Sequence, residues 1–258
     1  MRPLLGLLSL VALGAGCLGV VASAHGGSEV RAAACEPSIR CEPRGLARAI
    51  GDEEVLRAQS SRATTIREAT DVCPGAGYLC AGLEQRGTWR VLRWNEDTSL
   101  IQVRVPLPPW EDPERARALQ NAAARGIRAW HRHPFPIRVE LSDREGPYDV
   151  VVHWSTTLPG TELGHASTRW RRSERLASLA VEDFSLATRS PFDVSRTLDP
   201  RQVELTAAHE MGHALGLPHS DRESDVMYPS NTATRLTARD FRTMEVLYQL
   251  ENGAEIRP

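Results

Sequence analysis

The chain of 258 residues has no excess of charge of either sign; its formal net charge is −2. Without a basic field to hold a phosphate backbone, no nucleic acid is expected as a partner. Lysine is absent, so every one of the 31 cationic residues is an arginine. That absence fits a GC-rich genome and carries no functional reading. Beyond residue 24 no apolar run is long enough to span a bilayer. There is no internal repeat and no low-complexity tract. Cysteine is scarce, five in all, and none of those beyond the start has a zinc-finger spacing.

The long apolar run stands at the start. Met1-Arg2, an apolar stretch from Leu4 to Val21, and the small residues Ala22-Ser23-Ala24 read as a secretory signal over residues 1–24. Secretion with no stable membrane span after cleavage is the expectation. A retained anchor and a lipoprotein signal lipidated at Cys17 are the alternatives. Cys35, Cys41, Cys73 and Cys80 would remain. An even count in an exported chain suggests two disulfides, with three possible pairings. Cys35–Cys41 and Cys73–Cys80 close the shortest loops and are favoured. Residues 25–88 read as a small cysteine-containing, pro-like segment with few large apolar residues. Its best helix runs from Leu46 to Arg57, and it could hardly build a core without its disulfides.

A larger domain is expected over residues 89–258. Leu100 to Val105 alternates as a strand. Asp112-Pro113 caps a helix to about Trp130, with Leu119, Ala123, Ile127 and Trp130 on one face. His131 and His133 fall at its solvated end. Ile137 to Leu141, Tyr148 to Trp154 and Leu179 to Asp183 read as further strands. Asp199-Pro200, with Gln202 at the capping-box position, starts another helix, which Gly216 should end. Thr237 starts the last helix, with Asp240 at its capping-box position. There Leu236 can staple onto Phe241.

The chemistry concentrates in Ala207 to Ser220. His209 and His213 are four apart, so a helix puts both imidazoles on one face, where they can share a tetrahedral zinc. After the turn at Gly216, His219 can supply a third ligand. Three protein ligands leave one zinc position open, as in catalytic rather than structural sites. Glu210 is one residue round from the first ligand, placed to act as general base on water at the metal. The implied reaction is hydrolysis without a covalent intermediate.

These residues carry a family resemblance. The zinc motif, Ser220 after the third histidine, the Met-turn-like Val226-Met227-Tyr228-Pro229 and the closing Leu236-Thr237-Ala238-Arg239-Asp240 resemble the matrixins, the matrix-metalloprotease branch of the metzincins. From about Trp94 to Leu250 the likeness implies an α+β fold. It implies a twisted mixed five-stranded sheet, three helices and a zinc cleft, with Met227 under the metal. Substrate, a protein or peptide, would lie extended along an edge strand near Leu163, Gly164 and Ala166. Leu205 would shape the primed-side pocket, with Pro229 and Asn231 as its outer wall, so a large apolar residue would follow the scissile bond. The matrixin pattern also implies a structural zinc held by three histidines and an aspartate. Here His165 matches one ligand, His153 is loosely placed and Val181 stands where a histidine is expected. A second zinc or a calcium therefore stays open. Arg40-Cys41-Glu42-Pro43 echoes the family's cysteine switch. The expected protein is a monomeric, secreted zinc metalloendopeptidase. A catalytically silent zinc-containing binding module and a protease of another metzincin branch are the alternatives.

Overall fold

Each helix that positions the site begins where the sequence supplies a cap. The computed structural model describes residues 64–132, 136–144, 146–172 and 177–258, all within one unit, Gly45–Pro258. Helix α1, Pro113–Arg128, starts at Asp112, whose side chain accepts from the Glu114 and Arg115 amides. Helix α2, Pro200–Ala214, has the full capping box of Asp199 and Gln202. Helix α3, Ala238–Gln249, has that of Thr237 and Asp240. These bonds satisfy amides that the helix cannot pair internally. Among the described residues there are also one-turn helices at Ala69–Val72 and Leu83–Arg86, and a 3-10 turn at Ala129–Arg132.

The described strands form three three-stranded sheets, where a single five-stranded sheet was expected. In the first, β3 (Leu100–Arg104) lies between β4 (Arg138–Leu141) and β5 (Val150–Val151), parallel to both. In the second, β8 (Ala177–Ala187) lies between β6 (His153–Ser155), parallel to it, and β7 (Gly164–Arg172), antiparallel. β5 and β6 belong to one extended run interrupted at Val152, whose amide donates to the Arg104 carbonyl. That run pairs β3 first and β8 next, so its partner changes halfway along. The third sheet has β9 (Glu255–Arg257) between β1 (Ile66–Glu68) and β2 (Trp89–Arg90).

α1 packs against α2 through the stripe expected for it; Leu119, Ala123, Ile127 and Trp130 are all fully buried. Burying a side chain of that size stabilises by roughly 1.5–3 kcal/mol. Trp130 also donates its indole N–H to the Ala208 carbonyl, so the 3-10 turn that follows α1 grips the middle of α2. The carboxyl end of α2 is held by two more aromatic donors. Trp94 Nε1 donates to Ala214 O and Tyr248 Oη to Leu215 O. Those carbonyls have no partner further along the helix. Gly216 follows with φ 97°, a conformation only glycine adopts without strain.

Cys73 and Cys80 are joined in a disulfide. The loop they close sits on α3: Tyr78 is buried and donates to Asp240 Oδ1, and Arg239 donates to Gly77 O. The expected leader over 1–24, Cys17, the Cys35–Cys41 pair, the Leu46–Arg57 helix and His133 lie outside the described residues. No described helix is long and apolar enough to cross a membrane.

Candidate metal centre and active-site cleft

α2 carries Thr206, His209, Glu210 and His213 on one face, as a repeat of three and four residues dictates. After Gly216 the chain returns and brings His219 beside them. His213 Nε2 lies 3.1 Å from His209 Nε2 and 3.1 Å from His219 Nε2. Among the described residues these three histidines form the one group of possible ligands whose atoms all converge within 4.8 Å. A tetrahedral zinc with bonds of ~2.0–2.1 Å holds its ligand nitrogens about 3.3 Å apart. The donor set and its spacing therefore fit zinc.

The other ring nitrogens are occupied. His209 Nδ1 meets Val226 O at 2.7 Å and His213 Nδ1 meets Leu217 O at 2.9 Å. A carbonyl can only accept, so each Nδ1 carries the proton and each Nε2 keeps its lone pair. Burial pushes the His209 pKa down to about 4 and, helped by the neighbouring His209 and His219, that of His213 down to about 3. Both are neutral at pH 7, the state a ligand needs.

Below the helix the chain turns tightly, and Met227 is fully buried. A Cβ on Gly212 would come within 2.2 Å of Met227 Sδ. Glycine at the position before His213 is thus the space the methionine fills. The turn is fixed from its far side by buried carboxylates. Asp240 Oδ2 accepts from the Val226 and Thr237 amides, and Asp225 accepts from Ser220 Oγ, Thr237 Oγ1 and Arg239. A chain of hydrogen bonds therefore runs from Tyr78 through Asp240 and the Val226 peptide to His209.

Glu210 is buried beside the histidines. Burial, the nearby Glu162 carboxylate and a partly offsetting hydrogen bond from the Ala166 backbone leave its pKa raised to about 8. Gly164 crosses directly over it; a Cβ there would lie 2.6 Å from Glu210 Oε1 and 2.5 Å from Thr206 Cγ2. An approaching dication would favour the ionised carboxylate and lower that pKa.

These shifts predict how the metal-free protein responds to pH. The two histidines have folded pKa values below the ordinary 6.5, so their contribution is complete above 6.5 and is lost as pH falls towards 4 and 3. Glu210 has a folded pKa above its ordinary 4.5, so its contribution is complete below 4.5 and is lost as pH rises towards 8. Between 4.5 and 6.5 the two histidines outweigh the one glutamate. The melting temperature of zinc-free protein should peak near pH 6.5 and decline on both sides. A melting temperature that climbs steadily from pH 6.5 to 8 would contradict this.

The three histidines and Glu210 open into a cleft of about 770 Å3. Of the residues expected to meet substrate, Leu163, Gly164, Ala166, Pro229 and Asn231 line it, and Asn231 also donates to Thr206 Oγ1. Leu205 does not line it. Thr206, the next residue along α2, does. His165 is at the cleft, its Nδ1 3.7 Å from Glu162 Oε2, whereas His153 is not among the lining residues. Sequence reasoning missed Leu92, Glu162, Leu179 and Phe192, which also line the cleft. They come from separate loops and strands, and no motif joins them.

Residues 140–249 match the model of the Matrixin peptidase family. No curated protein matches the chain.

Proposed function

Taking residues 140–249 as a matrixin-like metalloprotease domain, we propose that this protein is a zinc-dependent endopeptidase in which Glu210 is the general base. The observation that carries the reading is the convergence of the three Nε2 atoms of His209, His213 and His219 beside a buried carboxylate at the floor of an open cleft. Zinc held by His209, His213 and His219 would supply Lewis acidity, polarising a carbonyl oxygen and making water a stronger acid.

The chain's own residues do the rest. Glu210 accepts the proton of the attacking water and delivers it to the leaving amine. Its carboxylate is kept in place by the Ala166 backbone and by Gly164, whose missing side chain leaves it room. The Val226 and Leu217 carbonyls fix the histidine tautomers and ring directions. Met227 and the Asp225 and Asp240 carboxylates keep the turn beneath the helix from shifting. β7 is at the edge of its sheet in the strand order β6-β8-β7. An extended substrate can add to that edge as a further strand, with Leu163, Gly164 and Ala166 on one side and Pro229 and Asn231 on the other. A five-stranded mixed sheet follows if the run 150–155 is taken as one strand between β3 and β8. The disulfide supports an oxidising compartment, which suits export through the leader over 1–24.

Cleavage of a mixed peptide library, with and without chelator, tests the reading. Internal peptide bonds should be cut, and chelator should abolish every cut. Cleavage that is indifferent to chelation would contradict a metalloprotease.

A further inference from the structure

The cleft has two distinct ends. Ala187, the last residue of β8, donates its amide to Leu163 O, and Leu186 pairs with Gly164. The loop 188–199 therefore leaves β8 beside the residues that lead into β7. Glu162 and Phe192 line the cleft at this end, while Thr168 and Leu179, further along β7 and β8, line the other.

The loop that presents Phe192 is tied down by its own hydrogen bonds. Ser190 N donates to Arg196 O, Arg196 N to Asp193 O and Leu198 N to Thr188 O, while Asp193 Oδ1 accepts from both Ser195 N and Ser195 Oγ. Yet Phe192 at its tip is 83% exposed. A fixed loop thus projects an aromatic face at the mouth of the cleft. Glu162, also at this end, is half exposed, with its Oε2 3.7 Å from His165 Nδ1. Among the described residues none that lines the cleft is an arginine, in a chain that has 31 cationic residues.

We propose that Glu162 and Phe192 form a subsite for a basic substrate side chain, arginine ahead of lysine. This rests on the proteolytic reading of the cleft. A guanidinium can stack on an aromatic face and pair with a carboxylate at the same time, which an ammonium does less well. Gly164 lies over Glu210, so it marks the reacting bond along β7. Glu162 precedes it by two residues, in the turn and bend that lead into β7. The selected side chain belongs on the side of the cleaved bond where β7 begins. It supplements the apolar pocket beside the bond.

The test uses peptides identical except for Arg, Ala or Glu scanned through three positions on each side of the cut. Cleavage is measured with the wild-type protein, and binding with zinc-loaded Glu210→Gln. At one position Arg should be preferred over Glu by about tenfold in both, the order of an exposed ion pair combined with ring stacking. The preference should shrink at high salt. Glu162→Gln should reduce it to about twofold or less, Glu162→Arg should invert it, and Phe192→Ala should weaken it without inverting it. Glu162 also acts on Glu210, but that effect is common to all peptides and cancels in the ratio. Cleavage with a flat ranking at every position, or a preference that survives both Glu162 variants, would overturn the subsite and leave the protease intact. Arg-selective binding that depends on Glu162, with no cleavage by the wild type, would uphold the subsite and overturn the protease.

Discussion

Glu210→Gln should lower peptide hydrolysis by at least about a hundredfold, the lower end of what general acid–base catalysis contributes. The amide keeps the size of the side chain but cannot accept the proton of water. Zinc content should stay near wild type, because His209, His213 and His219 converge without any help from Glu210. Thermal stability should not fall, since the variant replaces a buried carboxylate whose charged form burial already disfavours. Near-normal turnover would remove Glu210 from the mechanism. Loss of zinc would make Glu210 part of the coordination instead.

His213→Ala should do the opposite to the metal. His213 Nε2 stands between the other two ligand nitrogens, at 3.1 Å from each. Without it two imidazoles remain, and zinc affinity should drop by well over about a hundredfold. Outer partners of metal ligands alone are worth roughly 10–100-fold. Hydrolysis should fall to background for lack of metal, and excess zinc should restore little of it. Competition with a chelating dye gives the affinity, and far-UV circular dichroism checks that α2 is still folded. Zinc binding at wild-type strength would take His213 out of the metal centre.

The helices and the convergence of the three histidines were legible because each is written in local spacing. Asp112, Asp199 and Thr237 cap their helices by rules that span three residues, and all three do so. The interval from His209 to His213 is one helical turn, and Gly216 marks where the chain leaves α2. The Cys73–Cys80 pair was also within reach, since the two are only seven positions apart. Longer-range features were not. β1, β2 and β9 have two or three residues each, too few for an alternating pattern. β7, Gly164–Arg172, is half-buried or exposed along its length, so it has no apolar alternation; only the family resemblance pointed to it. Tyr78 and Asp240 are 162 residues apart. Nothing near either residue announces that the disulfide loop closes over the last helix. Leu205, carried over from the family pattern, is not among the residues that line the cleft, whereas Thr206 is.

That disulfide loop gives the amino-terminal segment a structural part in the site. The path from Tyr78 through Asp240 and Val226 to His209 is made of buried hydrogen bonds, which are costly to leave unmade. Described residues before Trp89 thus support the turn under the three histidines, whatever role the rest of residues 25–88 has.

The central claim is that peptide hydrolysis depends on zinc held by His209, His213 and His219. Titration of metal-free protein with zinc, with peptidase activity and bound metal read on the same samples, tests it most directly. Activity should rise linearly with bound zinc and stop rising at about one zinc per chain, the capacity of a single three-histidine site. Full activity in samples shown to be metal-free, or activity that ignores zinc occupancy, would contradict it.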